Sequence, residues 1–215
     1  LSIKSYTQSI VNISSPSSNG NYEVVVQSDS TIALYNSPVN NGVVSNIKVK
    51  PGQWYHVVAV FSNNPEAGVL ARAAKHGIPA HTFNRAQWTT GEAIDSIIAS
   101  YNPDCIALAG FLWLFPERLV HKYEGHVLNI HPALLPKYGG KGMYGDKVHR
   151  AVLAAGEQRH GVTVHYVNAA YDEGKILLQE SFEVLANETL DNLTHKIHTI
   201  EYRLYPKAIE QFMAQ

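Results

Sequence analysis

From Val57 onward the sequence alternates short apolar runs with stretches that carry helix caps, and few folds accommodate that rhythm. Val57-Val58-Ala59-Val60-Phe61 is continuously apolar, as a strand buried on both faces must be. Asn64 then offers an N-cap with Pro65 at the first helical position, and Gly77 stands where a helix through Leu70, Ala73 and Ala74 has to stop. The pattern recurs as a helix over residues 92–101, a strand over 105–109, a short helix opened by Pro116, and a strand over 127–130. A Gly-rich loop, a helix over 146–155 closed by Gly156, a strand pair at 162–167 and 176–182, and a largely helical stretch over 190–213 complete it. Since a crossover helix joins parallel neighbours, the pattern predicts an α/β fold, a twisted, mainly parallel sheet with helices on both faces. Ligands of such sheets bind beyond the carboxyl ends of the strands, which directs attention to the residues just past those ends.

The first 56 residues have a different texture, poor in charge and rich in Ser, Asn and Val. Runs at 22–27, 31–35 and 43–49 concentrate β-branched and aromatic residues between Ser-Asp-Ser and Asn-Ser-Pro-Val-Asn-Asn-Gly, which predicts a short antiparallel β segment ahead of the α/β unit. The first twenty residues are too polar to be held firmly. Two units follow from this reading, 1–56 and 57–215.

Charge and cysteine content narrow the function classes. Seventeen basic and 18 acidic residues leave a formal charge of -1, so the chain lacks the electrostatic footprint of a nucleic-acid binder or of a protein drawn to anionic membrane. Cys105 is the sole cysteine, which excludes an internal disulfide and a thiolate cluster for zinc, and suits a reducing cytoplasm. No run approaches the roughly 18 apolar residues of a membrane span, and the chain starts at Leu1 without the basic and apolar regions of a signal peptide. No nucleic-acid partner and no membrane are therefore expected.

The chemistry concentrates in His126-Val127-Leu128-Asn129-Ile130-His131-Pro132. Strand side chains alternate, so Asn129 and His131 share one side at the strand's carboxyl end, and Pro132 turns the chain out of the ladder. A neutral hydrogen-bond donor thus stands beside a group that moves protons near neutral pH. Tyr171-Asp172-Glu173-Gly174, between the last two strands, supplies a carboxylate able to orient His131 and favour its imidazolium. Taken singly, the first motif also reads as polar residues satisfied by a loop, and the second as a plain turn.

Together the pieces resemble the phosphoribosylglycinamide formyltransferases of purine biosynthesis. Leu128-Asn129-Ile130-His131-Pro132-Ala133-Leu134-Leu135-Pro136-Lys137-Tyr138, followed by Gly139-Gly140-Lys141-Gly142-Met143-Tyr144-Gly145, carries the likeness most strongly. Ala59-Val60-Phe61-Ser62-Asn63, Ala109-Gly110-Phe111, His160-Gly161-Val162-Thr163-Val164-His165, Gln179 and Glu201-Tyr202-Arg203-Leu204-Tyr205-Pro206 keep that family's order and spacing. The resemblance implies formyl transfer from 10-formyltetrahydrofolate, a co-substrate, to the amine of glycinamide ribonucleotide, without a metal, with small-molecule substrates as partners and a monomer or homodimer as the expected state. Asn129, His131 and Asp172 are then the catalytic residues. The folate site implied comprises Leu112, Trp113, Leu114, Phe115, Asn129, Asn168, Ala169, Ala170, Tyr171 and Asp172, and the ribonucleotide side His198 and Glu201. Trp113 departs from the pattern, since an Arg often stands there. His149 and His165 read as packing or surface positions.

Before Val57 the family's opening strand, Gly-rich phosphate-binding turn and helix find no counterpart, so impaired binding of the ribonucleotide phosphate is expected. Lys50-Pro51-Gly52-Gln53-Trp54-Tyr55-His56-Val57-Val58-Ala59-Val60 instead resembles a strand of laminin-G-like or concanavalin-like sandwiches, and the chain reads as a chimera joined there. Two alternatives stand beside the leading one: a non-catalytic chimera with a carbohydrate-binding-like N-terminal segment, and a formyltransferase for another amine such as a sugar nucleotide.

Overall fold

A computed structural model of the chain describes residues 59–215 and, ahead of them, the backbone of four strands. These are β1 (Gln8–Ile10), β2 (Asn21–Val26), β3 (Thr31–Ser37) and β4 (Val43–Lys48), which pair antiparallel in chain order. The three runs expected at 22–27, 31–35 and 43–49 are therefore strands of one antiparallel sheet. The sandwich-like motif before Ala59 and most of the first twenty residues lie outside the described residues.

The α/β part opens with β5 (Val60–Ser62), α1 (Gly68–Lys75) and β6 (Ala80–Thr82), the two strands pairing parallel. Asn64 does not cap α1 as expected. Its Oδ1 accepts the Glu66 N–H at 3.0 Å, which makes a local Asx turn, and the helix starts three residues beyond Pro65. Gly77 does end it, at φ +67°, with Ile78 N–H closing on the Ala73 carbonyl. A further helix, α2 (Arg85–Thr90), rests on a capping box in which Asn84 and Gln87 each bond the other's backbone N–H. Neither β6 nor α2 was anticipated from the sequence; both are too short to show a period.

After α3 (Glu92–Ser100) the main sheet forms from β7 (Ile106–Ala109), β8 (Val127–His131), β9 (Arg159–Tyr166) and β10 (Ile176–Glu183), in the order β10-β9-β8-β7. The β7–α4–β8 crossover, with α4 spanning Glu117–Lys122, makes a parallel pair, while β9 and β10 run antiparallel at the other side. Between β8 and β9 lie the Gly-rich loop and α5 (Asp146–Ala154), and α6 (Leu190–Met213) closes the chain.

Side-chain alternation along β7 and β8 decides what packs where. Ala107, Leu128, Val162 and Val164 point to one face, where Ile197, Leu204, Tyr205 and Ala208 of α6 cover them. Leu108 and Val127 point to the other, against Ile94 and Ile98 of α3 and Leu119 and Val120 of α4. Helices thus cover both faces, and this is the α/β architecture that the rhythm of the sequence implied.

Tyr205 ties α6 to the sheet in a second way. It is 1% exposed, and its hydroxyl lies 2.9 Å from the Leu108 carbonyl and 3.1 Å from that of Leu128, so one proton serves adjacent strands. Removing it leaves buried acceptors short of a donor. Tyr205→Phe is expected to destabilise the chain by about 1–2 kcal/mol, read from urea unfolding. An unchanged midpoint would show that the strand ladder alone satisfies both carbonyls.

Candidate active site

Because β7 and β8 are parallel, their carboxyl ends open on the same edge of the sheet. Asn129 and His131 alternate with Ile130 on β8 and both border the cleft there. The antiparallel register sets His165 of β9 directly opposite Asn129, close enough for side chains to touch. The β9–β10 connection then returns Asp172 to the same place, with Asp172 itself at φ +57°. Gly174 permits this tight return, since a Cβ there would stand 1.6 Å from the Tyr166 carbonyl oxygen.

The Asp172 carboxylate is the hub. One oxygen, Oδ2, accepts the Gly140 backbone N–H at 2.9 Å and faces His131 Nδ1 at 3.5 Å. The other, Oδ1, lies 3.4 Å from Asn129 Nδ2 and 3.5 Å from His165 Nε2. His131 donates from Nε2 to the Tyr138 carbonyl at 2.8 Å. His165 donates from Nδ1 to the Tyr166 carbonyl at 2.8 Å, which leaves Nε2 to accept the Asn129 amide N–H at 3.1 Å. Asn129 therefore directs its amide hydrogens at His165 and Asp172, the second over a long, weak contact.

Opposing effects set the charges. Burial pushes the His131 pKa below its ordinary value, while Asp172 and the Tyr138 carbonyl pull it back up. For Asp172 burial acts to raise the pKa, but His165, His131 and the Gly140 N–H outweigh it, so the carboxyl sits below its ordinary value. The carboxylate stays ionised and ready to hold a proton on His131.

The cleft together with its open mouth holds about 1030 Å³ of empty space. It brings together Asn129, His131, Tyr171 and Asp172 with Leu112, His198 and Glu201, all named from the sequence. Trp113, Leu114 and Phe115 do not border it. Phe115 instead lines a separate apolar cleft between β5 and β7, Trp113 packs on Phe83 and Phe111 with the Arg85 guanidinium 4.7 Å over its ring, and Leu114 is 40% exposed. Asn168, Ala169 and Ala170 also lie off the wall; Asn168 Oδ1 accepts the Ala170 N–H and so shapes the connection that carries Asp172. His149 and His165, expected as packing or surface positions, are buried, His149 on the cleft wall and His165 against Asn129. Their part in the site follows from strand register and helix placement, for which neither residue carries a local motif. Among the described residues no group of three His, Cys, Asp or Glu side chains is arranged to hold a metal, and no helix is long and apolar enough to cross a membrane.

Residues 35–209 match the formyl transferase family, a stretch that contains this cleft and every strand of the main sheet. The chain belongs to that family. The match begins inside the segment that the sequence reading set apart as the N-terminal unit. The chain is 39% identical over 158 residues to the chloroplastic phosphoribosylglycinamide formyltransferase of Arabidopsis thaliana, covering 71% of this chain and 54% of that protein. It is 39% identical over 160 residues to the phosphoribosylglycinamide formyltransferase of Escherichia coli, covering 73% of each. Among solved structures it resembles the phosphoribosylglycinamide formyltransferase of Brucella melitensis, with 41% identity and a TM-score of 0.65 over 77% of this chain and 84% of that one. That of Coxiella burnetii gives 34% identity and a TM-score of 0.67 over 74% of each. The chain spans about half the length of the plant relatives that it matches.

Around the cleft, burial keeps three further histidines uncharged. It pushes His149 down to about 3, helped by His160 and His198, and pushes His160 and His198 down to about 4, from an ordinary value of 6.5. Below pH 6.5 the unfolded chain takes up protons at these positions while the folded chain does not, so the stability they contribute is present above that pH and lost as it falls toward 4. The urea midpoint is expected to fall steadily between about pH 7 and pH 4.5, and His149→Gln to lessen the fall. A flat profile would show that the folded chain protonates these rings as readily as the unfolded one.

Proposed function

We propose that the chain transfers a formyl group from 10-formyltetrahydrofolate to the primary amine of glycinamide ribonucleotide. Membership of the formyl transferase family and the names of the relatives support this reading. The observation that carries it is the meeting of Asn129, His131 and Asp172 at one edge of the cleft, within 3.5 Å of one another through the Asp172 carboxylate.

Attack by an amine on a formyl carbon builds negative charge on the formyl oxygen, and the departing folate nitrogen must gain a proton. Asn129 holds its Asp172 contact at only 3.4 Å, so that N–H is the one a developing oxyanion takes over. His131 has an acceptor facing each ring nitrogen, and a negative oxygen arriving beside it adds to the attraction that burial opposes, which favours the imidazolium. His131 so charged steadies the oxyanion and gives its proton to the departing folate nitrogen, and the ring then takes up the proton that the attacking amine loses, which restores it for the next cycle. Asp172 fixes the ring and carries the countercharge.

The folate lies against Leu112 and Tyr171, apolar and flat surfaces beside the trio, and the ribonucleotide against His198 and Glu201 across the same cleft. The catalytic unit is the stretch from about residue 57, since the cleft and the main sheet are built from residues beyond it. Near-neutral net charge suits a cytoplasmic enzyme of small molecules.

Mixed with both substrates, the chain is expected to release tetrahydrofolate, and His131→Ala to slow the release by about 10²- to 10⁴-fold while folate binding persists. No release at saturating substrate overturns the reading. A panel of amine acceptors separates glycinamide ribonucleotide from a sugar nucleotide.

A further inference from the structure

The loop after β8 reaches the catalytic pair through its backbone alone. The Tyr138 carbonyl takes the His131 Nε2–H at 2.8 Å, and the Gly140 N–H donates to Asp172 Oδ2 at 2.9 Å. Tyr138 holds this position in the left-handed region, at φ +57°, a conformation that a bulky residue keeps only where its surroundings impose it. Gly139 lets the loop come this close, since a Cβ there would lie 3.2 Å from the Asp172 Cβ and 2.6 Å from Leu135 Cδ2.

One contact outside the cleft supplies the constraint. The Tyr138 hydroxyl donates to Glu157 Oε1 at 3.0 Å, and its ring packs beside the cluster of Ala133, Val148, Val152 and Leu193. Glu157 is itself anchored, because its N–H caps α5 by bonding the Val152 carbonyl, next to a Gly156 N–H bond to Leu153. Lys137 Nζ, 67% exposed on its side chain, also reaches Oε1, at 2.8 Å. Glu157 does not border the cleft.

We propose that Tyr138 and Glu157 form a latch that positions His131 and Asp172 for catalysis, both acting as positioning residues through the loop backbone. This rests on the formyl-transfer reading for the role of the pair, but the latch can be read without turnover. Freed from Glu157, Tyr138 relaxes from its strained conformation, its carbonyl leaves His131, and the Gly140 N–H leaves Asp172.

The test follows the His131 ring resonance through a pH titration by NMR, assigned by its loss in His131→Ala, in Tyr138→Phe, Glu157→Ala, Glu157→Gln and Lys137→Ala. Losing the carbonyl contact removes a group that raises the His131 pKa, so its titration is expected to move to lower pH in Tyr138→Phe and Glu157→Ala. In the same two variants kcat is expected to fall about tenfold with KM for the folate little changed. Glu157→Gln keeps an acceptor for the hydroxyl and restores both quantities, and Lys137→Ala leaves the hydroxyl bond and moves neither. A His131 titration unchanged in Tyr138→Phe and Glu157→Ala, with only a lower melting temperature, overturns the latch. An inert wild-type chain overturns the functional reading instead, since the resonance reports on the latch alone.

Discussion

Several groups converge on the carboxylate of Asp172, and the shape of the site depends on its staying ionised there. β8 brings Asn129 and His131, the loop beyond Pro132 brings the Gly140 N–H, and His165 of β9 holds the Asn129 amide beside them. A carboxylate 11% exposed on its side chain is stable only with partners for its lone pairs, and these are the ones it has. Protonating it would weaken several contacts at once, which is why His131 orientation, Asn129 orientation and loop position belong to one arrangement rather than three.

The fold supplies this convergence economically. A parallel β7/β8 pair puts two carboxyl ends on one edge, and an antiparallel β9 returns a cross-strand neighbour to Asn129 without a further crossover. Thr163, opposite His131, fixes the chain as it leaves β8: its hydroxyl donates to the Ala133 carbonyl at 2.6 Å and accepts from the Leu135 N–H and from Gln179. The exit of β8 is thereby held from β9 and β10, and the Gly-rich loop begins from a rigid point. Polar groups buried here are matched to one another, so they define one conformation as well as stabilise it.

Asn129, His131 and Asp172 stand out by residue type and position, at the end of a strand and in the following strand connection, while Leu112, Tyr171, His198 and Glu201 come from the family resemblance by order and spacing alone. Trp113, Leu114 and Phe115 follow a strand end too, yet packing turns Phe115 toward the aromatic cluster of Phe83 and Trp88 rather than to the cleft. Apolar residues next to a site carry no mark that tells wall from core. His165 was missed for the opposite reason: its role is a relation to Asn129 across a ladder whose register no local pattern states. Asn64 shows the same limit on a smaller scale, a good cap residue that bonds two residues ahead and delays the helix.

The sequence alone was sufficient for the α/β class, the strands and helices long enough to show a period, the family likeness, and the choice of Asn129, His131 and Asp172 as candidates. These rest on short-range regularities: alternation, caps, and residue types whose chemistry is intrinsic. Tertiary contacts were needed for the charge balance on the trio, for His149 and His165, and for the tie from Glu157 through Tyr138 to His131. Burial and hydrogen-bond partners shift a pKa or hold a strained backbone only once segments far apart in the chain have met, and that meeting is a property of the packed molecule.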